Sequence, residues 1–139
     1  MNTLKTLCAL ALMLAPIAVE AQLQPQQAGA VRYLCGGVAQ AEQQAMRAAA
    51  GEYDLMLTFA TATGQYLADV EVDITDGRGG SLLSARCDGP MMLVDLPAPG
   101  RYEVSARAAG KELRRTVATS KGGETVRAVF TWKSAPTGQ

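Results

Sequence analysis

Tyr66-Leu67-Ala68-Asp69-Val70-Glu71-Val72-Asp73-Ile74-Thr75 is the stretch that decides the fold. Tyr66, Ala68, Val70, Val72 and Ile74 alternate with Leu67, Asp69, Glu71, Asp73 and Thr75. Successive side chains of an extended chain point to opposite faces, so one face here is aliphatic and the other carries carboxylates. That is the pattern of a half-buried β-strand, and no helical period fits it.

The same period runs outward in both directions. Upstream, Tyr53, Leu55, Leu57 and Phe59 alternate with Asp54, Met56, Thr58 and Ala60, and Thr61–Gln65 reads as a turn. Downstream, Asp76-Gly77-Arg78-Gly79-Gly80 is a glycine-rich turn before a short strand over Ser81–Arg86, and Cys87-Asp88-Gly89-Pro90 turns again. Met91–Val94 is an apolar strand that runs into Asp95-Leu96-Pro97-Ala98-Pro99-Gly100. Tyr102, Val104 and Ala106 then face one way, with Arg101, Glu103, Ser105 and Arg107 on the other side. Ala109-Gly110-Lys111 reads as a hairpin, followed by Glu112–Thr119 with Leu113 and Val117 inward. Val126, Ala128, Phe130 and Trp132 close the series. About seven short strands spaced roughly ten residues apart predict a mainly β fold, an antiparallel Greek-key β-sandwich.

One helix precedes the strands. Residues 38–50 (VAQAEQQAMRAAA) are strong helix formers, with Val38, Ala41, Ala45, Ala48 and Ala49 on one side and Gln40, Gln43, Gln44 and Arg47 on the other. Gly51 is expected to end this helix as a left-handed cap. The apolar stripe is thin, so the helix must pack on something else to persist. Val31–Leu34 reads as a short extended segment, residues 22–30 (QLQPQQAGA) as a flexible N-terminal arm, and residues 134–139 as a frayed tail. The expected organisation is one domain over residues 31–133.

The first 21 residues read as a secretory signal peptide, with Lys5 as the positive n-region, an apolar run over Leu7–Ala18, and Val19-Glu20-Ala21 as the cleavage site. That run is shorter than the roughly 20 residues a spanning helix needs, and no second run of spanning length follows, so no integral membrane span is expected. The expected location is the periplasm, or outside the cell, after cleavage near Ala21. The 13 basic and 13 acidic residues cancel, and loss of Lys5 and Glu20 leaves the balance at zero. A neutral chain offers no electrostatic footprint for nucleic acid.

Cys8 falls in the signal, which leaves Cys35 and Cys87 as an even pair in an exported domain. A disulfide between them is expected. Closing a loop of about 53 residues would stabilise the fold by roughly 4 kcal/mol in the chain-entropy account. A reactive or metal-binding thiol pair is the alternative, but it would need further ligands, and the chain has no histidine.

Leu96-Pro97-Ala98-Pro99-Gly100-Arg101-Tyr102-Glu103-Val104-Ser105-Ala106 resembles the L-P-x-G-x-Y-x-V-x-A segment of carboxypeptidase regulatory-like domains, with one extra residue between Pro97 and Gly100. Val70–Ile74 with Asp76-Gly77-Arg78-Gly79 looks like the first long strand and turn of the same module. The resemblance covers roughly residues 53–132 and implies a prealbumin-like (transthyretin-like) sandwich of seven strands; residues 33–60 look like small exported bacterial proteins with no assigned activity. It implies no catalytic residues. The prealbumin-like hydrolases that act on oxidised purines depend on histidines, so their activity does not carry over. In the motif, Pro97 and Pro99 fix a turn, Gly100 permits a positive φ, and Tyr102 brings a large buried face whose hydroxyl needs one partner.

Candidate sites are few. Without histidine, a Ser-His-Asp or Cys-His arrangement is excluded. Asp69, Glu71 and Asp73 share a strand face about 7 Å apart and read as a solvated face rather than a carboxylate pair for acid–base work. With Asp76 they offer oxygens to Ca²⁺, but no EF-hand spacing follows Asp73, where Ser84 stands in place of the glutamate. Gly77-Arg78-Gly79-Gly80 reads as a hairpin, because a phosphate cradle needs a following helix. Lys111, Lys121 and Lys133 lie in turns or near the end, and no asparagine follows the signal, which argues against isopeptide crosslinks. Met91-Met92 reads as core or edge rather than a soft-metal site.

Trp132, Arg114, Arg115 and Arg127 are the residues expected to form a partner surface, on the edge near Trp132 or on the strand Tyr53–Ala60. A solvated sheet face balanced by Glu112 and Glu124 is the plainer account of the arginines. No catalytic, cofactor-binding or metal-binding residue is expected, and no cofactor. The expected function is non-enzymatic: a monomeric exported accessory or binding module that contacts another protein. An envelope structural or stress-protective factor is the alternative, and a hydrolase of unknown substrate comes third. Exposed Trp132 would favour binding, and Trp132 buried against the helix would favour a scaffold.

Overall fold

The structure, a computed structural model, describes residues 23–133. The expected signal peptide and the frayed tail lie outside the described residues. In chain order the elements are β1 (Gln26–Ala28), β2 (Val31–Gly36), α1 (Gln40–Ala49), β3 (Leu55–Thr61), β4 (Val70–Asp76), β5 (Ser81–Cys87), β6 (Met91–Asp95), β7 (Gly100–Ala108), β8 (Lys111–Thr119) and β9 (Val126–Trp132). A 3-10 turn, Ala50–Glu52, follows α1.

The strands form two sheets. One has the order β1-β2-β6-β3-β9 and the other β5-β4-β7-β8. The alternating stretches supply their facing sides. Leu55, Leu57, Phe59, Met92, Val94, Ala128, Phe130 and Trp132 of the first sheet pack against Val70, Val72, Ile74, Leu83, Tyr102, Val104, Ala106 and Val117 of the second. Cys35, inward on β2, is disulfide-bonded to Cys87, inward on β5, with Cα atoms 5.4 Å apart. The bridge therefore ties the two sheets together. Beside it the backbones of Gly36 and Gly89 approach so closely that a Cβ on Gly89 would collide with the Gly36 carbonyl.

Several expectations are corrected. There are nine strands among the described residues, not seven, and the fold is not wholly antiparallel, because β3 and β9 pair in parallel from Leu55↔Val126 to Thr61↔Trp132. A period of two reports burial of one face and carries no information on strand direction. The two extra strands have separate causes. Gln26–Ala28, read as part of the arm, pairs with Val31–Tyr33 across a two-residue turn in which Gly29 takes φ 57°. Its side chains are mostly exposed, so it carries no hydrophobic pattern; its pairing is a matter of backbone bonds and a Tyr33 hydroxyl donating to Gln26 at 2.9 Å. Val31–Leu34 becomes β2, an interior strand of its sheet.

The helix spans Gln40–Ala49 rather than residues 38–50, and Gly51 lies within the 3-10 turn without a positive φ. Its N-cap, Ala39, has no capping side chain. Instead Glu42 accepts a hydrogen bond from the Gly37 N–H at 2.6 Å, and Gln43 donates to the Gly37 carbonyl at 2.9 Å. These reach-back contacts tie the first turn of the helix to the Gly37 turn before it. The alanine stripe is also displaced: Val38 is 72% exposed, while Met46 is fully buried.

Met46 and Ala50, with Tyr53, cover the outer face of the first sheet at Leu34, Met56, Met91 and Leu93. This second, smaller core explains why β3 and β6 are buried on both faces. Thr125 anchors the far side, its hydroxyl 2.7 Å from the Ala50 carbonyl and 2.8 Å from that of Tyr53.

Candidate functional site

Each sheet ends in two edge strands, and β8 and β9 are edges on the same flank of the molecule. The edges are not equal. β1 has three residues, β5 is interrupted by a register shift opposite Ile74/Thr75, and the outer face of β8 carries Glu112 and Arg114 in ion pairs. Short strands, bulges and charge are the usual ways of blunting an edge. β9 is blunted least: it is seven residues long, unbroken and without proline, and Arg127 is its one charged residue.

The register fixes which of its groups are open. The Val126 N–H donates to Asp54 at 2.9 Å, and the Trp132 carbonyl accepts from Ala62 at 2.8 Å. Residues 126, 128, 130 and 132 thus turn their backbone groups toward β3. By the alternation of a parallel ladder, the N–H and C=O of Arg127, Val129 and Thr131 point to the open edge.

The side chains expected to make a partner surface are placed as follows. Trp132 is corrected: it is only 3% exposed, packed on Phe59 and Phe130 with ring centroids 6.4 Å away, and its indole N–H donates to the Lys111 carbonyl at 3.1 Å. It is buried between the sheets, not against α1, and offers no surface. The strand at Leu55–Thr61 is likewise closed, flanked by β6 and β9.

The three arginines do not form one cluster. Arg114 lies on the outer face of the second sheet, 3.6 Å from Glu103 and 3.3 Å from Glu112. Arg115, on the opposite face of β8, holds its guanidinium 5.9 Å from the centroid of the Phe130 ring. Arg127, on the outer face of β9, reaches the Met56 sulfur at 3.0 Å. Arg115 and Arg127 thus stand on the two sides of the β9 edge, and neither forms an ion pair among the described residues.

Sequence reading missed two exposed apolar residues on the outer face of the first sheet. Val129 is 47% exposed, and Tyr66, 43% exposed, bridges to Ala60 on the same outer face and accepts a bond from Arg47 at 3.3 Å. The alternation of β9 puts Val129 outward between inward Ala128 and Phe130, which is how its exposure could have been read.

The remaining candidates resolve into structure. Asp69 pairs with Arg86 at 4.0 Å and Glu71 with Arg107 at 3.5 Å, exposed pairs worth at most about 1 kcal/mol each. Among the described residues no group of three metal-ligating side chains converges. Asp76 closes the glycine-rich turn by accepting from the N–H groups of Gly80 and Arg78, both at 2.9 Å, and these bonds hold its carboxyl below the ordinary aspartate range. Met91 and Met92 are both buried, one toward α1 and one between the sheets. The Tyr102 hydroxyl finds its one partner in the Ala98 carbonyl.

The Pro97–Gly100 corner stands between two clefts. One, of about 480 Å³, is lined by Arg78, Leu82, Pro97, Pro99, Arg101 and Tyr102. The other, of about 230 Å³, contains Asp54 and Asp95. Asp54 accepts from the Leu96 N–H at 2.7 Å. Burial first, and then the hydrogen bond and charge of Asp54, push the Asp95 carboxyl above its ordinary value, against the pull of Arg32 at 3.7 Å. Asp54 thereby joins three strands, since its own N–H also donates to Val94 and its carbonyl accepts from Val126. That is a structural role.

Among the described residues no helix is long and apolar enough to cross a membrane. No protein-family model matches this sequence, and no curated protein matches it.

Proposed function

We infer that this chain is an exported, non-enzymatic binding module that engages a protein partner along the open edge of β9. The observation that carries the reading is the backbone of Arg127, Val129 and Thr131, uncovered among the described residues, on a long, unbroken edge strand. Such an edge is a template for an added strand. The disulfide between the sheets fits an oxidising compartment, and the leader-like first 21 residues agree with it. The resemblance of residues 96–106 to carboxypeptidase regulatory-like domains supports an accessory role on a prealbumin-like scaffold.

A tagged copy crosslinked in intact cells, followed by mass spectrometry, tests this. A dominant partner recovered by the parent and lost with Val129→Pro is the expected result. Proline at that position removes an outward N–H without touching the ladder to β3. Recovery of the same partner by Val129→Pro would remove β9 as the binding edge. Recovery of none would favour the second reading, an envelope structural or stress-protective factor.

A further inference from the structure

The edge of β9 has a polarity of its own. On the outer side stands Arg127, beside half-exposed Val129. On the inner side, at the seam between β8 and β9, Arg115 lies over the Phe130 ring. A strand added beside β9 projects its side chains alternately to these two sides, so one set falls near Arg127 and Val129 and the other near Arg115. Both guanidiniums lack a carboxylate partner among the described residues, whereas Arg86 and Arg107 each have one and Arg114 has two. The thioether of Met56 and the ring of Phe130 hold the two arginines in place without neutralising them.

Resting on the reading of β9 as the binding edge, we propose that its ligand is an extended acidic segment of a partner protein, with carboxylates on both faces and small apolar residues between them. Backbone bonds to Arg127, Val129 and Thr131 supply the pairing. Charge on the two flanks selects the partner, as rim charges commonly do. Val129 receives one of the apolar side chains.

The test uses the purified chain and three synthetic peptides of equal length: repeats of Val-Val-Glu-Glu, Val-Val-Lys-Lys and Val-Val-Ser-Ser. Residue-resolved amide exchange locates binding and titration gives the affinity. The glutamate peptide is expected to protect the amides of Arg127, Val129 and Thr131 and to bind about tenfold more tightly than the lysine peptide, less so in high salt. The double variant Arg115→Gln/Arg127→Gln is expected to abolish that preference. Equal protection by all three peptides would overturn the acidic chemistry and leave the binding edge standing. Protection by none would overturn both. Protection of the same amides that grows with protein concentration, without peptide, would make the occupant a second copy of this chain and overturn the proposal.

Discussion

The space between the two sheets and the space beneath α1 are filled in different ways. Between the sheets lie Phe59, Phe130 and Trp132 in mutual contact, a layer of branched aliphatics, and a covalent bridge. Beneath α1 lie three methionines, Met46, Met56 and Met91, with Leu34, Leu93, Tyr53 and Ala50. Aromatic and branched side chains lock into few rotamers, while methionine adapts to irregular gaps. The first core specifies the fold; the second pins a helix with a thin stripe onto a sheet that is already formed.

That contrast sets the order of expected effects. Phe130→Ala should cost about 4 kcal/mol, because a large ring leaves a void among neighbours that cannot close over it. Urea unfolding measures it, and a loss below about 2 kcal/mol would mean that this core is as adaptable as the other. Replacing Cys35 and Cys87 by alanine should cost up to about 4 kcal/mol. A thiol assay on the denatured, unreduced chain must find neither residue free; two thiols there would remove the bridge.

Met46→Ala should cost about 2–3 kcal/mol and act locally. Amide exchange within α1 should quicken while the β3 and β9 amides stay protected. Equal acceleration in both places would show one cooperative core instead of two.

The smallest effect is electrostatic. The Asp95 carboxyl has a raised folded value, so the folded state binds its proton more tightly than the unfolded state does. Its contribution is fully present below the unfolded value, about 3.9, and is lost as pH rises through the folded one. Asp95→Asn should therefore gain melting temperature relative to the parent as pH climbs through that window. A difference that is flat with pH would break the account. Asp76 and Glu112 have lowered values and work in the opposite sense, losing their contribution as pH falls.

The two cores also differ in how far the sequence shows them. The inter-sheet residues of β4, β7 and β9 were legible because each strand buries one face, and alternation records that directly. The disulfide was legible from compartment and count. Beneath α1 the record fails. Met56 sits at a position that alternation assigns to solvent, yet it is buried, with Leu93 beside it, because a helix lies over both. Tyr53 was grouped with Leu55 but joins the smaller core. β1 was illegible because an exposed edge strand bonded mainly through its backbone requires no hydrophobic residue. Of the candidate surface, Arg115 and Arg127 were named from charge alone. Their positions on opposite sides of β9 depend on the parallel pairing with β3, which no local pattern encodes.

That pairing governs the order in which the molecule can be completed. Of the strands described, β9 leaves the ribosome last, yet it supplies Phe130 and Trp132 and closes the edge of β3, about seventy residues earlier. Until Trp132 has emerged, β3 remains an open template and Phe59 lacks both aromatic neighbours. A chain cut or stalled before residue 126 keeps the alternating stretches and both cysteines but presents the raw edge of β3 to any other strand it meets. Closure of the first sheet thus waits on residues made well after β3 itself.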